Sequence, residues 1–275
     1  MTELAYVCPV CGRVMKREER RYVCPQGHSF DIARKGYVNL LTTLGHNPAT
    51  AGDDTVMVRA RTEFLDSGHY GRLAERVGEI ILAHRLSSVI DSGCGEGYYT
   101  CVYAKHCPET RFYGIDISKA AVNHCMTRVH TGNTVNCSFA VASSFGLPFE
   151  DHSADGIVST FAPVDDREYS RVLKNGGVLI VVSPSPRHLY ELKEAVYDRP
   201  YENRPNSYGL SDFDEESSEI LEYETELDSQ KLIFDLFSMT PYFYKTSARD
   251  TEKLRGLERL RVTCGFCIQV YRNRI

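Results

Sequence analysis

The sequence predicts an α/β protein with a mostly parallel β-sheet and an antiparallel C-terminal strand, preceded by a small metal-binding module. Three observations support this prediction. Cysteine and histidine residues at the spacing of a zinc site begin the chain, short apolar runs alternate with helical patterns from residue 88 onward, and apolar residues alternate with polar ones over 260–270. Alternating strand and helix patterns are typical of a parallel sheet flanked by helices.

The N-terminal module is defined by two pairs of metal-ligand residues. Cys8 and Cys11 form the first pair, and Cys24 and His28 form the second. Zinc favours four thiolate or imidazole ligands in a tetrahedron, and four protein ligands leave no open position, so we expect one structural zinc ion. The module, residues 1–40, is too small to fold without a bound metal ion that cross-links it. A redox Cys-x-x-Cys site and a coincidental grouping are the alternatives.

The remaining elements are predicted from periodicity and turn residues. Residues 41–70 are assigned to a linker and a connecting helix, and residues 71–275 to the main domain. The predicted segments are, in order, a loop over 44–54, helices over 55–66 and 72–86, strands over 88–91 and 111–116, a helix over 118–129 with Ser118 as its N-cap, and strands over 136–141, 155–160 and 178–183.

A glycine-rich loop follows the first predicted strand of the main domain. It carries Gly93, Gly95 and Gly97 after Asp91 at the strand end, and its glycines let the backbone turn sharply and approach a ligand. A tyrosine stands where a dinucleotide fingerprint has its third glycine, which makes a nicotinamide cofactor the weaker alternative. The pattern instead resembles the first motif of class I (Rossmann-like) S-adenosylmethionine-dependent methyltransferases. Asp116, 25 residues after Asp91, ends the next strand, where its carboxylate is placed to accept hydrogen bonds from the ribose.

Longer stretches of the chain extend this resemblance. The longer segments, in order, are CPVC, CPQGHSFDIARKGYVNLL, GDDTVMVRARTEFLDSGHY, VIDSGCGEGYYT, GIDISKAAV, FAVASSFGLPFEDHSAD, FAP, RVLKNGG, PSPRHLYELKEAVYD and MTPYFY. With these segments the sequence resembles, over nearly its whole length, the RlmA family, bacterial methyltransferases of guanine N1 in large-subunit (23S) ribosomal RNA.

The resemblance implies specific ligands, a substrate and a role for the first module. It implies that residues 1–40 recognise RNA, and that the methyl group goes to a guanine in an rRNA hairpin loop. It implies a zinc ion held by Cys8, Cys11, Cys24 and His28, and cofactor contacts from Tyr70, Gly95, Glu96 and His188. From the residues alone, Tyr70 reads as a packing aromatic and His188 as a surface residue at a helix start. The catalytic residues stay unassigned.

The chain also departs from the family pattern in details on the substrate side. It has no tryptophan, with Phe243 in a place where such an aromatic is expected, and the sequence after FAP is not a family pattern. In the segment after Leu173, which resembles the late helix-turn-strand of class I methyltransferases, Asn175 stands where proline is common. Asp165 and Asp166 lie at the carboxyl edge of the predicted sheet, and solvated turn residues are the alternative to a role in catalysis. Phe161 is predicted to form a wall against which an RNA base stacks.

Charge is unevenly distributed along the chain. The formal net charge is −5, but residues 212–228 contain nine acidic side chains and no basic one, so the remainder is net positive. Basic clusters of this kind are the electrostatic footprint of a nucleic-acid binder, although solvated surfaces explain any single one equally well. The clusters are Lys16, Arg17, Arg20, Arg21, Arg34, Lys35, Arg59 and Arg61, and the basic residues from Lys245 to Arg261.

Other observations bound the setting and the alternatives. We find neither a membrane-spanning run of apolar residues nor a secretion signal, so we expect a cytoplasmic protein that does not contact membranes. A homodimer is one of the assemblies that the sequence allows. Two rival functions are a methyltransferase of small metabolites and a zinc-ribbon RNA-binding protein that only senses the cofactor. Cys264 and Cys267 are predicted to be buried rather than to bind metal, because residues three apart in a strand face opposite sides.

Overall fold

The N-terminal part of the chain is a three-stranded antiparallel ribbon. We describe it in a computed structural model, which covers residues 3–42, 55–204, 206 and 208–275; the predicted loop over 44–54 lies outside these residues. The ribbon strands are β1 (Lys16–Arg17), β2 (Arg21–Val23) and β3 (Ser29–Asp31), in that order across the sheet. They place the two predicted metal-binding turns next to each other.

The main sheet has eight strands, and one of them comes from the N-terminal region. Its order is β10-β11-β9-β8-β5-β6-β7-β4. The strands are β4 (Val38–Asn39), β5 (Ser88–Ser92), β6 (Arg111–Asp116), β7 (Cys137–Val141), β8 (Ala154–Thr160), β9 (Leu173–Pro184), β10 (Phe213–Leu227) and β11 (Leu260–Asn273). Strands β4 to β9 pair in parallel, whereas β11 pairs antiparallel with both β9 and β10. The predicted fold class, including the antiparallel C-terminal strand, is confirmed.

The direction of strand addition reverses between β5 and β8. From β5 the chain moves outward through β6 to β7, and then returns to add β8 and β9 on the other side. Ligands of such sheets bind in the crevice outside the carboxyl ends of the strands at this switch point. The glycine-rich loop therefore opens at the place where the topology creates a crevice.

Eight α-helices and one 3-10 turn connect the strands in the described residues. The helices are α1 (Thr55–Asp66), α2 (Gly71–Ala83), α3 (Tyr98–His106), α4 (Lys119–Gly132), α5 (Asp166–Val172), α6 (Tyr190–Val196), α7 (Gln230–Ser238) and α8 (Ala248–Arg255), and the turn is Phe243–Lys245. The predicted helix over 55–66 has these bounds, and Ser118 is the N-cap of α4 as predicted, since its side chain accepts from the backbone N–H of Ala121. None of these helices is long and apolar enough to cross a membrane.

The ribbon shares a hydrophobic core with one face of the main sheet. Tyr6 packs edge-to-face on Tyr113 of β6, with ring centroids 6.5 Å apart, and lies 5.4 Å from the ring of Phe149. The backbone N–H of Leu4 donates to the Tyr113 hydroxyl at 2.8 Å, and the N–H of Leu40 donates to the carbonyl of Val141 at 2.8 Å. The N-terminal region is thus built into the sheet as well as attached to it by sequence.

The acidic segment forms an edge strand that the sequence analysis did not predict. Every second residue of β10 from Glu219 to Thr225 is half-buried, but a half-buried acid, Glu219, and an exposed apolar residue, Ile220, break the usual apolar–polar alternation. Bases of the neighbouring elements pair with these acids: Arg76 of α2 with Glu219 at 2.7 Å, and Arg272 of β11 with Glu216 at 2.6 Å. Charged side chains on an edge strand also disfavour pairing with another chain.

Candidate cofactor and metal sites

The four predicted metal ligands converge at the tips of the ribbon. Their ligand atoms all lie within 4.8 Å of one another, and they are Cys8, Cys11, Cys24 and His28. The Sγ atoms of Cys11 and Cys24 are 3.6 Å apart, and Nδ1 of His28 lies 3.6 Å from Sγ of Cys8 and 3.4 Å from Sγ of Cys24. A tetrahedron with Zn–S of about 2.3 Å and Zn–N of about 2.0 Å requires ligand separations of roughly 3.5–3.8 Å. The residues therefore fit one zinc ion, and the site is closed to a fifth ligand.

The environment of Cys24 favours the thiolate that zinc requires. Burial opposes ionisation, but the backbone N–H groups of Gln26 and His28 point at the sulfur and lower the pKa of Cys24 to about 6. Gly12, directly after the first ligand pair, and Gly27, within the second pair just before His28, have positive φ angles of 69° and 83°. These turns aim backbone N–H groups inward in the manner of a zinc knuckle.

The glycine-rich loop has the conformation that the sequence analysis expects. Gly93, Gly95 and Gly97 have φ angles of 79°, 56° and 83°. A Cβ on Gly93 would lie 2.3 Å from Cβ of Ala162, and one on Gly97 would lie 2.9 Å from Sγ of Cys125. A Cβ on Gly95, by contrast, would have Nη1 of Arg61 as its nearest neighbour, at 3.6 Å. The outer glycines are thus required by packing, while the central one leaves space along the backbone for a ligand.

Two aspartates flank this space. The Asp91 carboxylate is buried and accepts a hydrogen bond from the Thr100 hydroxyl, and burial raises the pKa of Asp91 to about 7, an effect that Thr100 opposes and Asp116 reinforces. The Asp116 carboxylate accepts from the backbone N–H of Gly95 at 2.9 Å and of Ser118 at 2.7 Å. The loop and the end of β6 are thereby joined through Asp116, at the position predicted for a ribose-binding acid.

Glu96 is buried inside the loop and has only part of its hydrogen-bonding capacity used. One carboxylate oxygen accepts from Nε of Arg128, whereas the other, Oε1, has no hydrogen-bond partner among the described residues. Burial raises the pKa of Glu96, and the Arg128 guanidinium opposes this shift. Sequence reasoning did not single out Arg128, because nothing in the local pattern of α4 reveals which loop the helix will face.

Tyr70 and His188 lie in contact with each other, although the chain separates them widely. The Tyr70 hydroxyl is 3.3 Å from Nε2 of His188, and the backbone N–H of Gly265 donates to Nδ1 of His188 at 3.3 Å. Burial, with a contribution from the charge of Lys193, lowers the pKa of His188 to about 3, so the imidazole is neutral. The surface position that the residue pattern alone suggests for His188 is wrong, because Phe266 and Phe161 cover its ring.

Phe161 presents an aromatic ring at the mouth of the crevice. It follows β8 directly, it has a left-handed φ of 56°, and its side chain is 43% exposed. Its ring stacks on His188 with centroids 6.1 Å apart and an interplanar angle of 26°. A bulky residue in the left-handed region is strained by about 1–3 kcal/mol, and such strain is concentrated at functional sites.

The two aspartates after β8 have structural partners. Asp165 is the N-cap of α5, where its carboxylate accepts from the backbone N–H of Glu168 at 2.9 Å. Asp166 accepts from the hydroxyl of Ser211 at 2.6 Å and from its backbone N–H at 3.0 Å. These contacts favour a structural role over the role of a general base.

Basic side chains differ strongly in how far acids neutralise them. In the C-terminal cluster, Arg255 pairs with Glu252 at 3.2 Å, Arg259 with Glu226 at 3.4 Å, and Lys253 with Asp198 at 2.9 Å. In residues 3–42, by contrast, six exposed bases have no ion-pair partner in the part of the chain that the structure describes: Arg13, Lys16, Arg17, Arg20, Arg34 and Lys35. Strand β4, which continues the chain from the ribbon, lies at one edge of the main sheet, and the acidic strand β10 lies at the other.

Comparison with protein-family models identifies both the N-terminal module and the main domain. The family model described as "RlmA, N-terminal" matches residues 6–43, which contain the whole metal cluster. A model described as a methyltransferase domain matches residues 83–230, which contain the glycine-rich loop and Asp116.

Curated relatives agree with this assignment. The chain is 36% identical to a Micromonospora griseorubida protein named as a 23S rRNA (guanine-N1) methyltransferase, over 67% of both chains. It is 37% identical to the 23S rRNA (guanine(748)-N1) methyltransferase of Streptomyces fradiae, over 69% of this chain and 66% of that one. A Bacillus subtilis protein named YxjB, with the same guanine-N1 description, is 28% identical over 93% of both chains.

Solved structures support the fold. The cyclase SpnF is similar with a TM-score of 0.50 over 74% of this chain and 80% of that one, at 16% sequence identity. A likeness at this identity concerns the fold alone. The family models and the relatives together show that the chain belongs to the RlmA family of S-adenosylmethionine-dependent methyltransferases, which carry a zinc ribbon ahead of the catalytic domain.

Proposed function

We propose that the protein transfers a methyl group from S-adenosylmethionine to N1 of a guanine in a hairpin loop of 23S rRNA. The observation that carries this proposal is the match of both the ribbon and the methyltransferase domain to relatives named for that reaction. The unpaired bases on the ribbon favour RNA over a small metabolite as the substrate. Such an enzyme would act in the cytoplasm, where its RNA substrate is.

In this proposal the cofactor occupies the crevice above the glycine-rich loop. Asp116 holds the ribose hydroxyls and the backbone of Gly93, Gly95 and Gly97 lies beside the methionine part, with Asp91 supporting the loop from below. Tyr70, Glu96 and His188 complete the cofactor site. Bound S-adenosylmethionine supplies an electrophilic methyl group on a sulfonium. The chain's own contribution is to position the two reactants in line, which removes much of the entropic barrier.

The target guanine is proposed to stack on Phe161. This ring is exposed at the carboxyl edge of β8, and the next residue, Ala162, packs against Gly93 of the cofactor loop. A base splayed out of an RNA loop and stacked on Phe161 would therefore lie beside the methyl donor. Guanine N1 carries a proton. For the N1–methyl bond to form, the methyl–sulfur bond of the bound donor would break, leaving a neutral thioether, and the N1 proton would pass to water.

The RNA is proposed to reach this site along the ribbon. Residues 1–40 act as the RNA-recognition module, residues 41–70 as linker and connecting helix, and residues 71–275 as the catalytic domain. The edge of the sheet away from β4 carries the acids of β10, which pair with bases of α2 and β11, so this edge offers phosphates less unpaired positive charge than the ribbon does. A homodimer is part of the proposal, and light scattering of the purified protein checks it.

A direct assay tests the reaction. Unmodified 23S rRNA is incubated with the enzyme and S-adenosylmethionine, and then analysed by primer extension and by mass spectrometry of its nucleosides. Methylation of N1 blocks the Watson–Crick edge, so reverse transcriptase should stop at one loop position, and 1-methylguanosine should appear in the digest. Methylation of another base, or of a small metabolite while the rRNA stays unmodified, would contradict the proposal.

A further inference from the structure

Arg128 joins three elements around the cofactor loop. It lies on α4, and its side chain is only 15% exposed. Nε donates to the buried carboxylate of Glu96 in the loop, and Nη1 donates to Asp66, the last residue of α1, at 2.6 Å. The guanidinium also lies over the ring of Tyr98 at the start of α3, 5.4 Å from its centroid.

The hydrogen-bonding capacity of the Arg128–Glu96 pair is only partly used, which points to a ligand. Glu96 is 1% exposed, and its Oε1 atom has no hydrogen-bond partner among the described residues; the same holds for the buried Nη2 of Arg128. A buried polar atom without a partner loses its hydrogen bonds to water and gains none in return, so native proteins rarely leave one unpaired without a use. Because Glu96 belongs to the loop whose backbone opens at Gly95, a bound molecule in the crevice is the obvious partner.

Helix α1 is held over this loop by the same arginine. Besides the Arg128–Asp66 pair, the hydroxyl of Thr62 lies 3.4 Å from Nε2 of His124 on α4. Arg61 of the same helix lies next to Gly95. The connecting helix therefore closes one side of the crevice and contacts α4 at Arg128 and His124.

We propose that Arg128 is a positioning residue for the methyl donor: it holds Glu96 through one oxygen, leaves the other for a hydrogen-bond donor of the cofactor, and anchors α1 through Asp66. The inference rests on the proposed function, since it assumes that the crevice binds S-adenosylmethionine. A guanidinium suits this role because its planar fork serves two carboxylates at once, which an ammonium cannot do with the same geometry.

A double-mutant cycle on cofactor affinity tests the proposal. Calorimetry measures the Kd of S-adenosylhomocysteine for wild type, Arg128→Met, Glu96→Gln and the double variant, at pH 8 and pH 6. Arg249→Met, on the exposed surface of α8, is the matched control. We expect each single variant to bind at least tenfold more weakly and the double variant to bind about as weakly as either one, because the two side chains act as a unit.

The pH arm separates positioning from a general effect on folding. Without Arg128, the Glu96 carboxyl takes up a proton more readily, so Arg128→Met should lose additional affinity between pH 8 and pH 6, beyond any change in wild type. Glu96→Gln should show no such additional loss. Arg128→Lys, which keeps the charge, should restore the pH profile of wild type and part of the affinity. If Arg128→Met fails to fold, Arg128→Lys still tests the role of Arg128.

The outcomes distinguish this inference from the proposed function. If wild type does not bind S-adenosylhomocysteine, the cofactor assignment fails. If wild type binds but Arg128→Met and Arg128→Lys bind as tightly as wild type, the inference about Arg128 is wrong. It is also wrong if the affinity losses of the two single variants multiply in the double variant. Asp66→Asn tests the contact to α1 alone; a loss as large as that of Arg128→Met would show that the helix contact, not Glu96, accounts for the effect.

Discussion

The Tyr70 hydroxyl lies 3.3 Å from Nε2 of His188, across 118 positions of sequence. Because the backbone N–H of Gly265 donates to Nδ1, that nitrogen must be the acceptor, and Nε2 carries the proton of the neutral imidazole and donates it to the Tyr70 oxygen. The hydroxyl proton of Tyr70 is then available to another acceptor. The pair thus offers a hydroxyl donor beside His188, and the His188 ring supports the ring of Phe161.

The buried neutral state of His188 predicts a pH dependence of stability. Its pKa is about 3 in the folded protein and about 6.5 when unfolded, so the unfolded chain binds more protons between these values. Stability from this site is present above about pH 6.5 and is lost as the pH falls toward 3. We expect His188→Gln, which keeps a donor but does not titrate, to lose less stability than wild type between pH 7 and pH 4.5. Chemical denaturation across this range measures the difference, with the exposed His106→Gln as control.

Loss of the zinc site should affect more than the ribbon. Structural zinc contributes an apparent binding free energy of about 10–16 kcal/mol, and Cys24→Ser removes a ligand. Because Leu40 donates to Val141 of the main sheet, we expect faster hydrogen exchange at the Leu40 amide as well as lower thermal stability. Cys267→Ser, at a half-buried thiol outside the metal cluster, is the control. Wild-type protein without zinc in elemental analysis, or unchanged exchange in the variant, would refute this prediction.

Gly93→Ala should deform the cofactor loop for two separable reasons. Its φ of 79° is unfavourable for alanine, and the new methyl group would lie 2.3 Å from Cβ of Ala162. We expect a loss of about 1–3 kcal/mol of stability and weaker binding of S-adenosylhomocysteine. Adding Ala162→Gly should remove the clash but not the backbone strain, and so recover only part of the loss. Gly256→Ala, where a Cβ meets no atom within 4 Å, should behave like wild type.

Substitution of Phe161 should affect catalysis on RNA more than cofactor binding. Stacking of a base on an aromatic side chain is worth about 1–3 kcal/mol, so Phe161→Ala should lower kcat/KM for rRNA by roughly five- to 150-fold. Phe161→Tyr keeps the ring and should retain most of the activity. Steady-state kinetics and calorimetry with S-adenosylhomocysteine measure the two effects. If Phe161→Ala were as active as wild type, the target base would not stack on Phe161.

The bases of the ribbon should control the salt dependence of RNA binding. Arg17, Arg20 and Arg34 are exposed and unpaired among the described residues. Each lost phosphate contact lowers the salt slope by about one unit, so the triple alanine variant should bind RNA more weakly and with a flatter slope, at unchanged cofactor affinity. The matched control replaces Arg255, Arg259 and Arg261, which already pair with acids. If the control variant lost more RNA affinity than the triple alanine variant, the RNA would contact the C-terminal basic cluster instead, and the proposed RNA path would be wrong.

The sequence by itself predicted most of the architecture and the metal site. The spacing of Cys8, Cys11, Cys24 and His28 indicated a tetrahedral site because the ligands are close in sequence, and short loops bring such residues together in any fold. The glycine-rich loop was predicted for the same reason, since its conformation depends on residues within the loop. The acidic segment was missed as a strand, because Glu219 is half-buried and Ile220 exposed, the reverse of what their residue types predict, and because the bases of α2 and β11 that pair with its acids come from distant parts of the chain.

The tertiary structure decided which distant residues act together. Tyr70 and His188 were linked to the cofactor only through family resemblance, and Arg128 was not identified at all, since no local pattern states that α4 will face the loop after β5. Their proximity arises from the order in which parallel strands assemble and from burial, which makes His188 neutral and pairs Glu96 with Arg128. Local spacing determines turns and metal ligands, whereas contacts across the sheet depend on how the whole core packs.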